Sequence, residues 1–194
     1  MIEAPSLNLS QILRGGGDVS NAGQIDVLEY TVPTTHGLET NTIPLVGHAE
    51  WRAIASHLGD NEYWLAGTIR ATLSLDCGRC LDPVEYSLES RLESLLRFDA
   101  SVKIPTRLVE DDDEVIVFGD PNIDLTALFA ESISLDIPTM VKCKSKCKGL
   151  CAACGANLNR TAACPEARAD CPVFGVQESK RENPFTALKD LFED

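Results

Sequence analysis

Eight cysteines fall in this chain as four close pairs, Cys77-x2-Cys80, Cys143-x3-Cys147, Cys151-x2-Cys154 and Cys164-x6-Cys171. This pairing constrains the fold more than any other feature. A C-x2-C turn aims two sulfurs at one ion while backbone N–H groups of the turn bond to them, and zinc takes four such thiolates in a tetrahedron. Disulfides are the competing use, but they need an oxidising compartment. The start Met1-Ile-Glu-Ala-Pro5 has neither the basic residues nor the apolar run of a secretory signal, and no stretch approaches the roughly 18 apolar residues of a membrane span. The expectation is a cytoplasmic protein without membrane contact, whose cysteines serve as structural zinc ligands.

Leu150-Cys151-Ala-Ala-Cys154-Gly155 has the form of a zinc knuckle, with Gly155 supplying the positive φ such a turn requires. Eight thiolates suit two zinc ions. The preferred division gives Cys77, Cys80, Cys143 and Cys147 to one and Cys151, Cys154, Cys164 and Cys171 to the other. A local grouping of Cys143, Cys147, Cys151 and Cys154 is the alternative. An iron–sulfur cluster also uses four thiolates, but neither ferredoxin spacing is present. A thioredoxin-like centre would place its C-x2-C at a helix start beside a βαβ unit.

One enzymatic reading competes. His48-Ala49-Glu50 ahead of Cys77-Gly-Arg-Cys80 resembles the signature of zinc-dependent nucleoside and base deaminases, in which His and two Cys hold zinc and Glu moves the proton. Against it, Asp76 stands where the signature has Pro, and six cysteines are left without a role. His36, His48 and His57 otherwise read as ordinary surface or packed histidines.

Ile69, Ala71, Leu73 and Leu75 alternate with polar residues, and so do Val84, Tyr86 and Leu88. Period-two patterning on both sides of Cys77–Cys80 predicts an antiparallel hairpin with the knuckle at its tip. Val115–Phe118 reads as a strand. Leu125, Leu128, Phe129 and Ile133 recur at helical spacing between Asp124 and Pro138 and predict an amphipathic core helix. The run Glu110–Glu114 reads as a solvated acidic loop. The first 40 residues are weakly patterned: Leu7, Leu9, Ile12 and Leu13 suggest a short element that Gly15-Gly16-Gly17 breaks. Asn183-Pro184 starts a tail helix with Phe185, Leu188, Leu191 and Phe192 on one face. The resulting expectation is an α+β fold: a curved antiparallel sheet with a packed helix over residues 1–140, a zinc-binding cysteine-rich segment over 141–175 and a tail helix over 176–194.

The sequence resembles the YceD family, named for accumulation of the large ribosomal RNA. The resemblance rests on Leu75-Asp-Cys-Gly-Arg-Cys-Leu81, the helix from Ile123-Asp-Leu to Ile137-Pro138, Cys147-Lys-Gly-Leu-Cys-Ala-Ala-Cys-Gly-Ala-Asn-Leu-Asn159, and Asn183-Pro-Phe-Thr-Ala-Leu188. These cover most of residues 65–194. After Cys164 many members place the next cysteine two positions on, whereas this chain waits until Cys171. The resemblance implies a non-enzymatic role in 23S rRNA accumulation and ribosome biogenesis. The implied partner is large-subunit rRNA or its precursor, met directly or through ribosomal proteins, with no small-molecule substrate.

The net charge of −13 opposes surface-wide attraction to nucleic acid, so any RNA contact must be local. Lys142, Lys144, Lys146 and Lys148 alternate around Cys143 and Cys147 and form one positive island. They read either as RNA-phosphate contacts or as counter-charges to a four-thiolate metal site. No aromatic platform for stacking bases accompanies them.

Overall fold

The computed structural model describes residues 4–35, 37–110, 113–152 and 154–160. It divides into two compact units, the first comprising 1–75 and 83–141, the second 76–82 and 142–194. Cys164, Cys171 and the expected tail helix lie outside the described residues, as does His36.

The chain order is β1 (Ser6–Asn8), α1 (Ile12–Gly15), β2 (Asp18–Ile25), β3 (Glu29–Thr34), β4 (Gly37–Thr42), β5 (Ala49–Gly59), β6 (Glu62–Asp76), β7 (Pro83–Phe98), β8 (Thr106–Glu110), β9 (Asp113–Phe118), β10 (Asn122–Asp124) and α2 (Thr126–Asp136). The strands form a six-stranded sheet in the order β2-β5-β6-β7-β9-β8 and two ribbons, β1-β10 and β3-β4. The fold is α+β. The long β6–β7 hairpin is the one expected from alternation, and the cross-strand bonds Thr72–Ser87 and Arg70–Glu89 fix its antiparallel register.

The sheet is mixed and not wholly antiparallel as the sequence suggested: β7 and β9 run parallel, with Leu95 opposite Val115 and Phe98 opposite Phe118. Burial explains this. Val115, Ile116, Val117 and Phe118 are all buried, which only a strand flanked on both sides satisfies, whereas every residue of β8 is exposed. The chain therefore crosses from β7 to the sheet edge as β8, then turns back antiparallel to fill the interior place as β9. The acidic run is correspondingly no simple loop. Glu110 ends β8 opposite Asp113 of β9, and Arg97 and Arg107 neutralise Glu110 and Glu114 at 2.9 and 3.1 Å.

Helix α2 covers the inner face of this unit. Its start is fixed by Asp124 Oδ1, which accepts the Thr126 N–H at 2.8 Å, and it stops at Ile137, held extended ahead of Pro138. Phe129, Ala130 and Ile133 are buried. Phe129 lies against Gly67 of β6, where an added Cβ would come within 3.1 Å of the ring, and 5.9 Å from the Trp51 ring centroid. Trp51 in turn covers Gly23 of β2. Two glycines thus clear the space that two aromatic rings fill. Among the described residues the one fully buried polar side chain, Ser90, donates to Asp136 at 2.5 Å. Among the described residues no helix is long and apolar enough to cross a membrane.

Candidate metal centre

Residues 76–82 connect β6 to β7 and form the first arm of the second unit. The turn is closed by two backbone bonds, Cys77 N–H to Asp82 O at 2.9 Å and Leu81 N–H to Cys77 O at 3.0 Å. The second arm, Lys142–Lys148, turns through a bond from Cys147 N–H to Lys144 O at 3.1 Å. Together the arms bring the Sγ atoms of Cys77, Cys80, Cys143 and Cys147 within 4.8 Å of one another.

The donor set fits a four-thiolate metal ion. Zinc–sulfur bonds of about 2.3 Å in a tetrahedron place sulfurs about 3.8 Å apart. Cys77 and Cys147 are 3.9 Å apart and Cys80 and Cys143 3.6 Å. A disulfide would need about 2.05 Å. Three of the four thiols are buried, and Cys143 is exposed. The fold brings together the first of the two ligand sets preferred from sequence; Cys164 and Cys171 of the second set lie outside the described residues, and Cys151 and Cys154 are not part of the first cluster.

The surroundings already favour thiolate at two of the four sulfurs. Backbone N–H groups of Cys143, Arg79 and Cys80 lower the Cys77 thiol to about 6. At Cys147 burial pushes upward, but N–H donors from Asn159 and Gly149 outweigh it and the net shift is downward. Cys80 shifts upward: the Asp82 N–H opposes this, and burial with the neighbouring thiols prevails. Burial also raises Cys143. A bound divalent ion is what allows all four to be deprotonated together.

The second knuckle repeats the first bond for bond. Gly155 N–H donates to Cys151 O and Cys151 N–H to Ala156 O, both at 2.8 Å, at the same offsets as Leu81 to Cys77 and Cys77 to Asp82. The residue after the second cysteine has positive φ in both, 71° at Gly155 and 58° at Leu81. A bulky residue in that region is strained, so the first knuckle is held in shape by its partners and not by its local preference. Cys151 and Cys154 accordingly present a preformed half-site that could hold a second ion.

Around the first cluster lie residues that the sequence did not single out. Asp82 accepts from Cys80 Sγ at 3.3 Å and from Asn157 Nδ2 at 3.0 Å, and it pairs with Arg160. The Asn157 bond is the main cause that holds the Asp82 carboxyl below its usual range. Asn159 Nδ2 donates to Cys147 Sγ at 3.3 Å. Arg79 donates to Cys147 O at 3.1 Å. The only sequence signal for them was an Asn-x-Asn following the glycine of the second knuckle.

Lys142, Lys144, Lys146 and Lys148 are all exposed, and none forms an ion pair among the described residues. Within 76–82 and 142–160, Arg79, these lysines and Arg160 face only Asp76 and Asp82 as acids. The first unit holds 7 of the chain's 17 basic residues and 21 of its 30 acidic ones. The charge is thus strongly segregated.

The deaminase reading finds no support. Cys77 and Cys80 share their cluster with two further thiols, which fills the tetrahedron, and His48 and Glu50 are not part of it. Both are exposed at the start of β5, beside Arg70 and Glu89 on the open strand face. His57 packs at a tilt against Tyr63 with centroids 5.2 Å apart, an ordinary packing role.

An uncharacterized protein of Mycobacterium leprae is 30% identical over 143 residues, 70% of this chain and 62% of the relative. The chloroplastic large ribosomal RNA subunit accumulation protein YCED homolog 1 of Zea mays is 30% identical over 124 residues, 52% of this chain and 42% of the relative. An uncharacterized protein of Bacillus subtilis is 33% identical over 79 residues, 41% of this chain and 42% of the relative. The chain thus spans 42% to 62% of the length of these curated relatives. No solved structure matches it. The family model described as large ribosomal RNA subunit accumulation protein YceD matches residues 65–192, a span that takes in both knuckles, helix α2 and the lysine-bearing arm, and the chain belongs to that family.

Proposed function

We propose that this protein is a non-enzymatic factor for accumulation of 23S rRNA during large-subunit biogenesis, and that it meets the RNA backbone through its metal-bound second unit. The observation that carries this reading is the set of four exposed lysines at 142, 144, 146 and 148, which form no ion pair among the described residues and are built on the arm that supplies Cys143 and Cys147. Zinc is the ion proposed at the four thiolates, and its contribution there is structural, since four protein ligands leave no open position for substrate. Cys77, Cys80, Cys143 and Cys147 hold it, and the arm between them presents cations at fixed spacing to phosphates. Segments 76–82 and 142–160 contain no Phe, Tyr or Trp, so backbone contact without base stacking is the expected mode.

The acidic first unit serves as scaffold and limits contact to the lysine arm, because like charge repels phosphate elsewhere. A curved sheet is part of this reading, and the register shift between His57 and Gly59 supports bending of β5 at that point. The Zea mays relative's name supports the ribosomal role. Action in the cytoplasm, where large subunits are assembled, is part of the same proposal.

Depletion of the protein tests it. The ratio of 23S to 16S rRNA should fall, with unprocessed precursor accumulating, and chromosomally expressed wild type should restore it. An unchanged ratio with normal precursor processing overturns the reading.

A further inference from the structure

The first metal cluster draws on the second knuckle for its surroundings. Asn157 and Asn159 follow directly from the turn of Cys151–Gly155, and that turn places them through the Cys151 N–H to Ala156 O bond and the paired bridge of Leu150 with Asn157. Both side-chain amides are oriented without ambiguity. Asn159 Oδ1 accepts the Lys148 N–H at 2.9 Å, so its Nδ2 faces Cys147 Sγ; Asn157 Oδ1 accepts the Asn159 N–H at 3.0 Å, so its Nδ2 faces Asp82 and, at 3.4 Å, Cys80 O.

These amides complete a shell that the two ligand arms lack. An N–H donor on a thiolate disperses its charge and fixes the direction of its lone pair, and groups of this kind around a metal typically change affinity by about 10- to 100-fold. Cys147 receives such a donor from Asn159. Cys80 has the opposite neighbour, the carboxylate of Asp82 at 3.3 Å, which would repel a deprotonated sulfur. Asn157 and Arg160 both engage that carboxylate and draw off its charge. The short strap 155–160 therefore acts at two of the four ligands at once.

We infer that Asn157 and Asn159 are positioning residues for the Cys77–Cys80–Cys143–Cys147 cluster, delivered by the second knuckle, so that metal retention at the first cluster depends on the integrity of Cys151 and Cys154. This rests on the metal reading above. It makes the two cysteine groups one coupled device: a chain with a damaged second knuckle holds its first ion loosely even though all four ligands of that ion are intact.

The test is the rate at which zinc passes from the full-length protein to a chromogenic chelator, with the phase from the first cluster identified as the one that Cys77→Ser with Cys80→Ser abolishes. Asn159→Leu keeps the approximate size and adds no charge but removes the donor to Cys147, so a mere packing role leaves the rate unchanged. The expected result is release about 10- to 100-fold faster, with a shifted thiolate-to-metal charge-transfer band in the cobalt-substituted protein. Cys151→Ser with Cys154→Ser should accelerate the same phase, and Asn159→Leu added to that pair should contribute little more, because both act through one strap. Wild-type release from Asn159→Leu, or a first-cluster phase untouched by loss of Cys151 and Cys154, overturns the coupling alone. A wild-type protein that carries no metal overturns the coupling together with the metal reading beneath it.

Discussion

Replacing Cys77 and Cys80 by serine is expected to lower the bound metal by one ion per chain and to abolish the cooperative unfolding of the second unit. The reason is the scarcity of other stabilisation there. Among the described residues of 76–82 and 142–160 the buried side chains are Cys77, Cys80, Cys147 and Cys151 themselves, and the described apolar groups packed on Cys151 are Cys154, Ala156 and Leu158. A segment with so little apolar surface to bury cannot offset its conformational entropy without a ligand. Structural zinc in small domains contributes on the order of 10 kcal/mol at neutral pH, far more than any set of surface bonds. Serine keeps the volume and removes the thiolate. Metal analysis and proteolysis between residues 142 and 160 check the outcome, and an unchanged metal content with full protection would refute the assignment of the first cluster.

The second large effect belongs to the first unit. Phe129→Ala removes a fully buried ring that contacts Trp51 and sits over Gly67, and neither neighbour can move in to fill the space. Gly67 has no side chain to extend, and the Trp51 ring is already seated on Gly23. A cavity that cannot collapse places this substitution in the upper part of the usual range for aromatic truncation, about 3–5 kcal/mol. Urea denaturation should show a lower midpoint with an unchanged slope. A loss under about 1 kcal/mol would mean that α2 is not packed on β5 and β6 in this way.

Much of the arrangement around the four-cysteine cluster was legible in the sequence. Strict alternation from Ile69 to Leu75 and from Val84 to Leu88 gave the hairpin, and cysteine spacing put its tip and the Cys143 arm in one group. Spacing of Leu125, Phe129 and Ile133 gave α2. Most of the remaining strands were not legible, for physical reasons that differ strand by strand. β2 is an edge strand whose only buried residue is Ile25, so it shows no apolar stripe. β5 turns Ala49, Ala53 and Ala55 inward because an aromatic layer needs the room, and alanine carries almost no periodic signal. β8 is exposed at every position. The parallel pairing of β7 with β9 depends on which strand needs two neighbours, and alternation within either strand is silent on that. Asn157 and Asn159 escaped notice because an amide bound to a thiolate looks, in sequence, like any polar turn residue.

Under the proposed function, the cations on the arm that supplies Cys143 and Cys147 are what meets large-subunit RNA. Crosslinking in cells, with the bound RNA sequenced, tests it most directly when wild type is compared with a variant in which Lys142, Lys144, Lys146 and Lys148 are all changed to glutamine. Wild type should crosslink to 23S rRNA or its precursor at defined positions, and the variant should lose those crosslinks while keeping its full metal content. Equal crosslinking by a metal-replete variant, or wild-type crosslinks to protein alone, would contradict the account.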